Sequence, residues 1–132
     1  ASIRALGLEK NVVLAGFRED LDRILPCLDV VVHPAHREGM GVSLLQASLA
    51  EVPIVASEVG GIPEAVQDGM TGLLVPPKDP EALAEAILTL MKDEALRKRM
   101  GKAGRRWVEG HFSADHMVEG NLAVYRELLA SP

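Results

Sequence analysis

Short apolar runs alternate along the chain with segments in which apolar residues recur every three or four positions. Four runs are predicted strands: NVVLAG (11–16), DVVVHP (29–34), VPIVAS (52–57) and TGLLVPP (71–77). Between them, residues 20–28, 42–51 and 63–67 are predicted helices, and the last opens with a proline, which the first turn of a helix tolerates. This alternation of strand and helix predicts an α/β fold with a parallel sheet.

After the fourth run the pattern is helical. Asp79 is the expected N-cap of a helix with Pro80 at its first position. Its apolar face is expected to comprise Leu83, Ile87, Leu90 and Met91. Two more helices are predicted near 94–108 and 113–129, the second capped by Ser113 and carrying a stripe of Val118, Leu122, Tyr125 and Leu129. No repeat or linker interrupts the pattern, so residues 1–132 are predicted to form a single domain.

Composition and charge restrict the function classes. Of the 132 residues, 48% are hydrophobic and 25% charged, with a net charge of −5, which is typical of a soluble globular domain. The acidic balance argues against a nucleic-acid surface, which needs clustered basic residues. No apolar run approaches the roughly 20 residues of a membrane span and no signal peptide is evident, so a cytoplasmic location is expected. The single cysteine, Cys27, is predicted to be a buried thiol.

The stretch EGMGVSLLQA (38–47) is the main candidate for chemistry. It joins a predicted strand to a predicted helix, at the edge of the sheet where open α/β folds bind ligands. Gly39 and Gly41 would expose backbone N–H groups that, with the helix N-terminus, attract an anion. Glu38 would add an acceptor for sugar hydroxyls, and the side chain of Gln46 would lean back toward the loop.

These residues alone leave three interpretations of the loop open. GMGVSL has Leu44 where a dinucleotide fingerprint has its third small residue. The loop is therefore a turn without a ligand, a nucleotide or sugar-phosphate site, or a dinucleotide site. Ser43 is expected to start the helix and not to act as a nucleophile, because no G-x-S-x-G elbow surrounds it. No histidine, acid and cysteine combination has metal-ligand spacing, so no metal is expected.

The longer segment EGMGVSLLQASLAEVPIVASEVGGIPEAVQDGMTGLLVPPKDPEALAEAI resembles the C-terminal, donor-binding domain of retaining glycosyltransferases of family 4. Matching blocks run from LGLEKNVVLAGF to FSADHMVEGNLAVYRELL. The resemblance implies the C-terminal half of the GT-B fold, a Rossmann-like parallel sheet flanked by helices, without its first two strand–helix units. It also implies that a nucleotide-diphosphate sugar binds as substrate, without a further cofactor.

The family motif is a glutamate, seven residues and a second glutamate. The first falls on Glu38, which would bind hydroxyls of the transferred sugar, and the second falls on Gln46, where the family binds ribose. Because a neutral acceptor bonds more weakly than a carboxylate, Gln46 predicts a weakened ribose contact. The implied donor-binding residues are Glu38, Gly39, Met40, Gly41, Val42 and Gln46. Further candidates are Gly16, Phe17, His33 and Arg37. The alternative for His33 is a packed or capping histidine, and for Arg37 and its neighbour His36 it is simple solvent exposure.

The resemblance further implies a longer parent enzyme that transfers the sugar with retention to a glycan or lipid-linked acceptor. Its basic pair and acceptor-binding domain fall outside this chain, so the chain alone is expected to be inactive and to contain no catalytic residue. Residues 11–16 would lack sheet neighbours, which predicts a rearranged sheet, a swapped dimer or low stability. The basic stretch RKRMGKAGRR (97–106) is either a solvated surface or a contact for anionic lipid at the inner membrane face. The alternative function is a non-catalytic binding or assembly module.

Overall fold

The computed structural model describes residues 3–130 and contains a parallel sheet flanked by helices. The strands β1 (Val31–His33), β2 (Ile54–Ser57) and β3 (Gly72–Val75) pair in the order β1-β2-β3. The helices are α1 (Leu21–Ile24), α2 (Val42–Leu49), α3 (Ile62–Ala65), α4 (Pro80–Lys92), α5 (Glu94–His111) and α6 (Ala114–Ala130). Short 3₁₀ turns occur at Arg4–Leu6 and Leu25–Cys27. The predicted α/β class and parallel sheet are confirmed.

Strand β2 is the centre of the core and is buried along its whole length. Successive side chains of a strand point to opposite faces. Ile54 and Ala56 accordingly pack into one apolar cluster with α2 and α3, while Val55 packs into a second cluster with α4 and α5. Burial on both faces explains why residues 52–56 (VPIVA) are continuously apolar and do not alternate with polar residues.

The helix starts in the second half follow the predicted capping chemistry. The Asp79 carboxylate accepts a hydrogen bond from the Ala82 N–H at 2.9 Å at the start of α4, and Ser113 Oγ accepts from the His116 N–H at 3.1 Å. The predicted apolar face of α4 is only partly correct. Leu90 is fully buried, whereas Met91 is exposed because α4 buries its Ala86 and Leu90 side.

Helix α6 has the predicted position, but none of its described residues is buried. The predicted apolar stripe is exposed throughout, at Val118, Leu122, Tyr125 and Leu129. The spacing in the sequence therefore identified the helix and could not show that none of its apolar side chains is buried.

Two sequence predictions about the first thirty residues are wrong. Residues 11–16 form no strand, and Val13 and Leu14 are 87% and 83% exposed. In the described part of the chain β1 pairs with β2 alone, so residues 11–16 do not extend the sheet beside β1. Cys27 is exposed, not buried. Its run folds into a 3₁₀ turn without buried residues, where Sγ donates to the Arg23 carbonyl at 3.4 Å.

Candidate functional site

The carboxylate of Glu38 is fixed at the end of β1 by two donors. Its Oε2 lies 3.0 Å from Nε2 of His33, the last residue of the strand, and its Oε1 accepts from the Gly39 N–H at 2.9 Å. These contacts hold the acid over the loop between β1 and α2. His33 therefore orients the carboxylate from the sheet.

The same contacts set the charge of Glu38. The hydrogen bond from His33 is the main reason that the pKa of Glu38 lies below the ordinary value of 4.5, and the Gly39 N–H lowers it further. The side chain is 30% exposed. A carboxylate has about four acceptor positions, so Glu38 is an ionised acceptor with positions left for hydroxyl groups of a ligand.

Helix α2 begins beside this carboxylate without a side-chain cap. Its N-cap, Gly41, has φ +68°, and a Cβ atom there would lie 3.0 Å from Leu44 Cδ1, so the position requires glycine. Gly39 differs, because a Cβ atom would meet open space. The N–H groups of an uncapped first turn carry partial positive charge and are suited to an anion.

The turn after β2 supports this loop from behind. The Gly61 N–H donates to the Gly39 carbonyl at 2.8 Å. A Cβ atom at Gly60, whose φ is +54°, would overlap the Glu38 carbonyl oxygen, and one at Gly61 would overlap that of Gly39. The two glycines thus serve close backbone packing. Their link to the Glu38 loop was missed from the sequence, although glycines after neighbouring parallel strands are the available signal.

Gln46 lies in a neighbouring recess. It is exposed on α2 and lines a cavity of about 290 Å³, whose other walls are Leu21, Asp22, Leu25, Leu49 and Ala50. The structure therefore brings together His33, Glu38, Gly39 and Gly41, while Gln46 faces α1. Asp22 was not identified from the sequence, because its proximity to Gln46 depends on the packing of α1 beside α2.

The remaining candidates surround the loop or lie apart from it. Met40 and Val42 are exposed beside Glu38. Arg37 is exposed and has no ion pair with residues 3–130. Gly16 has φ +66° and Phe17 is 90% exposed, but no hydrogen bond joins either to the Glu38 loop within the described residues.

A third feature lies at the carboxyl ends of the strands. A recess of about 390 Å³ there is lined in part by Ser57, Val75, His36 and Lys78. Lys78 has φ +63°. This residue was also missed from the sequence, where a lysine in a turn has no distinguishing signal.

Residues 3–130 contain neither a cluster of metal-ligating side chains nor a membrane-spanning helix. No group of three or more His, Cys, Asp or Glu side chains is placed to hold a metal ion. No described helix combines the length and the apolar composition that crossing a bilayer requires.

Comparison with known proteins identifies relatives that match most of the chain. The family model for glycosyl transferases group 1 matches residues 1–107. The capsular polysaccharide biosynthesis glycosyltransferase CapM of Staphylococcus aureus is 37% identical over 119 residues, which are 90% of this chain and 31% of CapM. The N-acetyl-alpha-D-glucosaminyl L-malate synthase of Bacillus anthracis is 31% identical, over 96% of this chain and 33% of that enzyme. The chain thus spans about a third of the length of these relatives.

Solved structures give the same result. The sucrose-phosphate synthase of Thermosynechococcus elongatus superimposes with a TM-score of 0.87 and 32% identity, covering 98% of this chain and 33% of that one. Anabaena Alr3699/HepE in complex with UDP superimposes with a TM-score of 0.84 and 29% identity, covering 97% of this chain and 35% of that one. These neighbours have the GT-B fold. The retaining family 4 stays a prediction, but on sequence and structure together the chain belongs to the glycosyl transferases group 1 family.

Proposed function

We propose that this chain forms the nucleotide-sugar donor-binding part of a retaining glycosyltransferase. The observation that carries the proposal is the ionised Glu38 carboxylate, oriented by His33 and Gly39 beside the uncapped N-terminus of α2. The carboxylate accepts hydrogen bonds from hydroxyls of the sugar, and the helix N-terminus attracts the diphosphate. A structural relative in complex with UDP-glucose supports this assignment.

Each predicted site residue has a role in this proposal. The backbone of Gly39, Met40 and Gly41 adjoins the sugar and the diphosphate, with Val42 at the first position of the helix. Gln46 contacts the ribose. Arg37 contributes positive charge near the phosphates, and Gly16 and Phe17 lie near the base. The nucleotide-sugar is the substrate, and no further cofactor is required.

The chain alone is proposed to be inactive. An exposed helix N-terminus stabilises a nearby anion by only about 0.3–1 kcal/mol, which is little against the charge of a diphosphate. The acceptor, a glycan or a lipid-linked molecule, binds to a part of the parent enzyme outside this sequence. We assign no catalytic residue within residues 3–130.

A cytoplasmic location with peripheral membrane contact is the accompanying proposal. Arg97, Lys98 and Arg105 are paired with acids. Three further cations on α5, at positions i, i+3 and i+7, are exposed and have no ion pair within the described chain: Arg99, Lys102 and Arg106. Such a stripe attracts anionic headgroups with about 1 kcal/mol per basic residue. Co-sedimentation with phosphatidylserine vesicles and with neutral vesicles tests this, and equal binding to both contradicts it.

The donor site is tested by an amide NMR titration of the folded chain with UDP, GDP, ADP and their sugar conjugates. We expect saturable shifts at residues 38–46 with one nucleotide, which also names the base. Glu38→Gln should weaken binding of the sugar conjugate more than binding of the bare nucleotide, because Glu38 contacts the sugar. Flat titrations with all ligands would contradict the proposal and favour the non-catalytic module.

A further inference from the structure

The recess between α1 and α2 has the composition of a small-molecule site. Its walls are apolar, from Leu21, Leu25, Leu49 and Ala50, and its two polar side chains are Asp22 and Gln46. Ligand pockets are typically apolar with a few polar groups that fix orientation. The cavity of about 290 Å³ lies at the lower end of the usual range of about 300–1,000 Å³, so it suits part of a nucleotide.

Asp22 is a carboxylate without a partner. It is exposed and makes no hydrogen bond or ion pair with residues 3–130, whereas its neighbour Asp20 is paired with Arg18. Gln46, facing the same recess, has one acceptor oxygen and an NH₂ donor. Together they offer a charged acceptor, a neutral acceptor and a donor within one apolar recess.

This combination matches a pair of neighbouring hydroxyls. Each hydroxyl donates one hydrogen bond and accepts others, so a carboxylate can accept from both while the amide donates back. Gln46 lies four residues after Val42, about 6 Å along the helix axis from this first residue of α2. The recess that Gln46 lines is therefore separated along α2 from the anion position at the helix N-terminus.

We propose that Asp22 binds the ribose hydroxyls of the donor nucleotide and supplies the negative charge that position 46 lacks. The inference rests on the proposed function and adds a specificity-determining residue to that site. It makes Asp22 and Gln46 one unit, in which the acid lies on α1 and the amide on α2.

The test compares Asp22→Asn with Glu19→Gln, which removes the same charge from an exposed acid three residues away. Calorimetry measures binding of UDP, GDP and ADP, and of the 2′,3′-dideoxy form of the nucleotide that binds. We expect Asp22→Asn to weaken binding of the ribonucleotide roughly five- to tenfold, since hydrogen bonds to charged groups are the strong ones. The dideoxy form should bind wild type weakly and be insensitive to Asp22→Asn.

A reciprocal variant makes the test sharper. In the Asp22→Asn background, Gln46→Glu should restore ribonucleotide affinity. The gain in affinity should be larger than the gain that Gln46→Glu gives in the wild type, because two carboxylates would then share the recess. Unchanged or tighter ribonucleotide binding by Asp22→Asn overturns this inference alone, because loss of negative charge by itself favours an anionic ligand. Absence of binding by the wild type overturns the proposed function and this inference with it.

Discussion

His33 and Glu38 form a small unit in which the sheet determines the direction of an acid. The imidazole lies on the last residue of β1 and contacts one carboxylate oxygen, while the backbone of Gly39 contacts the other. Because both carboxylate oxygens of Glu38 are hydrogen-bonded, its side chain has lost most of its rotational freedom before a ligand binds. Pre-organisation of this kind increases affinity by reducing the entropy lost on binding.

The first residue-scale prediction concerns the pKa of Glu38. Because the folded-state pKa is lowered, the interaction stabilises the fold above the ordinary pKa of 4.5 and is lost as the pH falls through the lowered value. His33→Ala should raise the pKa of Glu38, and His33→Gln, which keeps an N–H donor, should raise it less. Carboxyl carbon NMR during an acid titration measures this. Identical titration midpoints for Glu38 in the wild type and the two variants would show that His33 does not lower the pKa of Glu38.

The second residue-scale prediction concerns the backbone contact between the turn at Gly60 and the Glu38 loop. Gly60→Ala introduces a Cβ atom against the Glu38 carbonyl at a positive φ, so we expect a loss of about 2–4 kcal/mol in unfolding free energy. Gly120→Ala in α6, where a Cβ atom meets open space, is the control and should stabilise by about 0.5–1 kcal/mol. Urea denaturation compares them. Equal stabilities would contradict the close packing of the two turns.

Elements with their own local signals were predictable. Asp79 followed by Pro80 identifies the start of α4, and the continuous apolar run of β2 identifies a strand covered on both faces. The segment 11–16 has an equally good strand pattern, but a strand also needs a neighbour, and sequence pattern does not supply one. The orientation of the Gln46 side chain also depends on tertiary packing. Helical side chains point toward the helix N-terminus, but this tendency does not determine which adjacent recess a side chain lines.

Packing separates two helices that look alike in sequence. Leu90 in α4 is fully buried, whereas Leu122 in α6 is exposed. Leu90→Ala should cost about 2–5 kcal/mol of unfolding free energy, as buried leucines do, and Leu122→Ala less than about 1 kcal/mol. Thermal and urea denaturation followed by circular dichroism measure both. A large loss for Leu122→Ala would show that α6 packs against the core in solution.

The whole molecule exposes both a sheet edge and unpaired apolar residues. β1 has no described neighbour on one side, and Val13, Leu14 and Phe17 are among the most exposed apolar residues. Open strand edges pair readily with other chains. We therefore expect concentration-dependent self-association, which light scattering measures. Val13→Lys should reduce this self-association, whereas the control variant Lys10→Arg should not. A stable monomer at all concentrations would contradict it.

The indole of Trp107 links α5 to α3. It is the only tryptophan in the chain. Its Nε1 donates to the Glu64 carbonyl in α3 at 3.1 Å, and its ring stacks on His111 at 3.6 Å. Because the turn before α3 contacts the Glu38 loop, we expect a ligand bound at that loop to change the fluorescence emission of Trp107. Trp107 would then serve as an intrinsic optical reporter of ligand binding, which needs no added label.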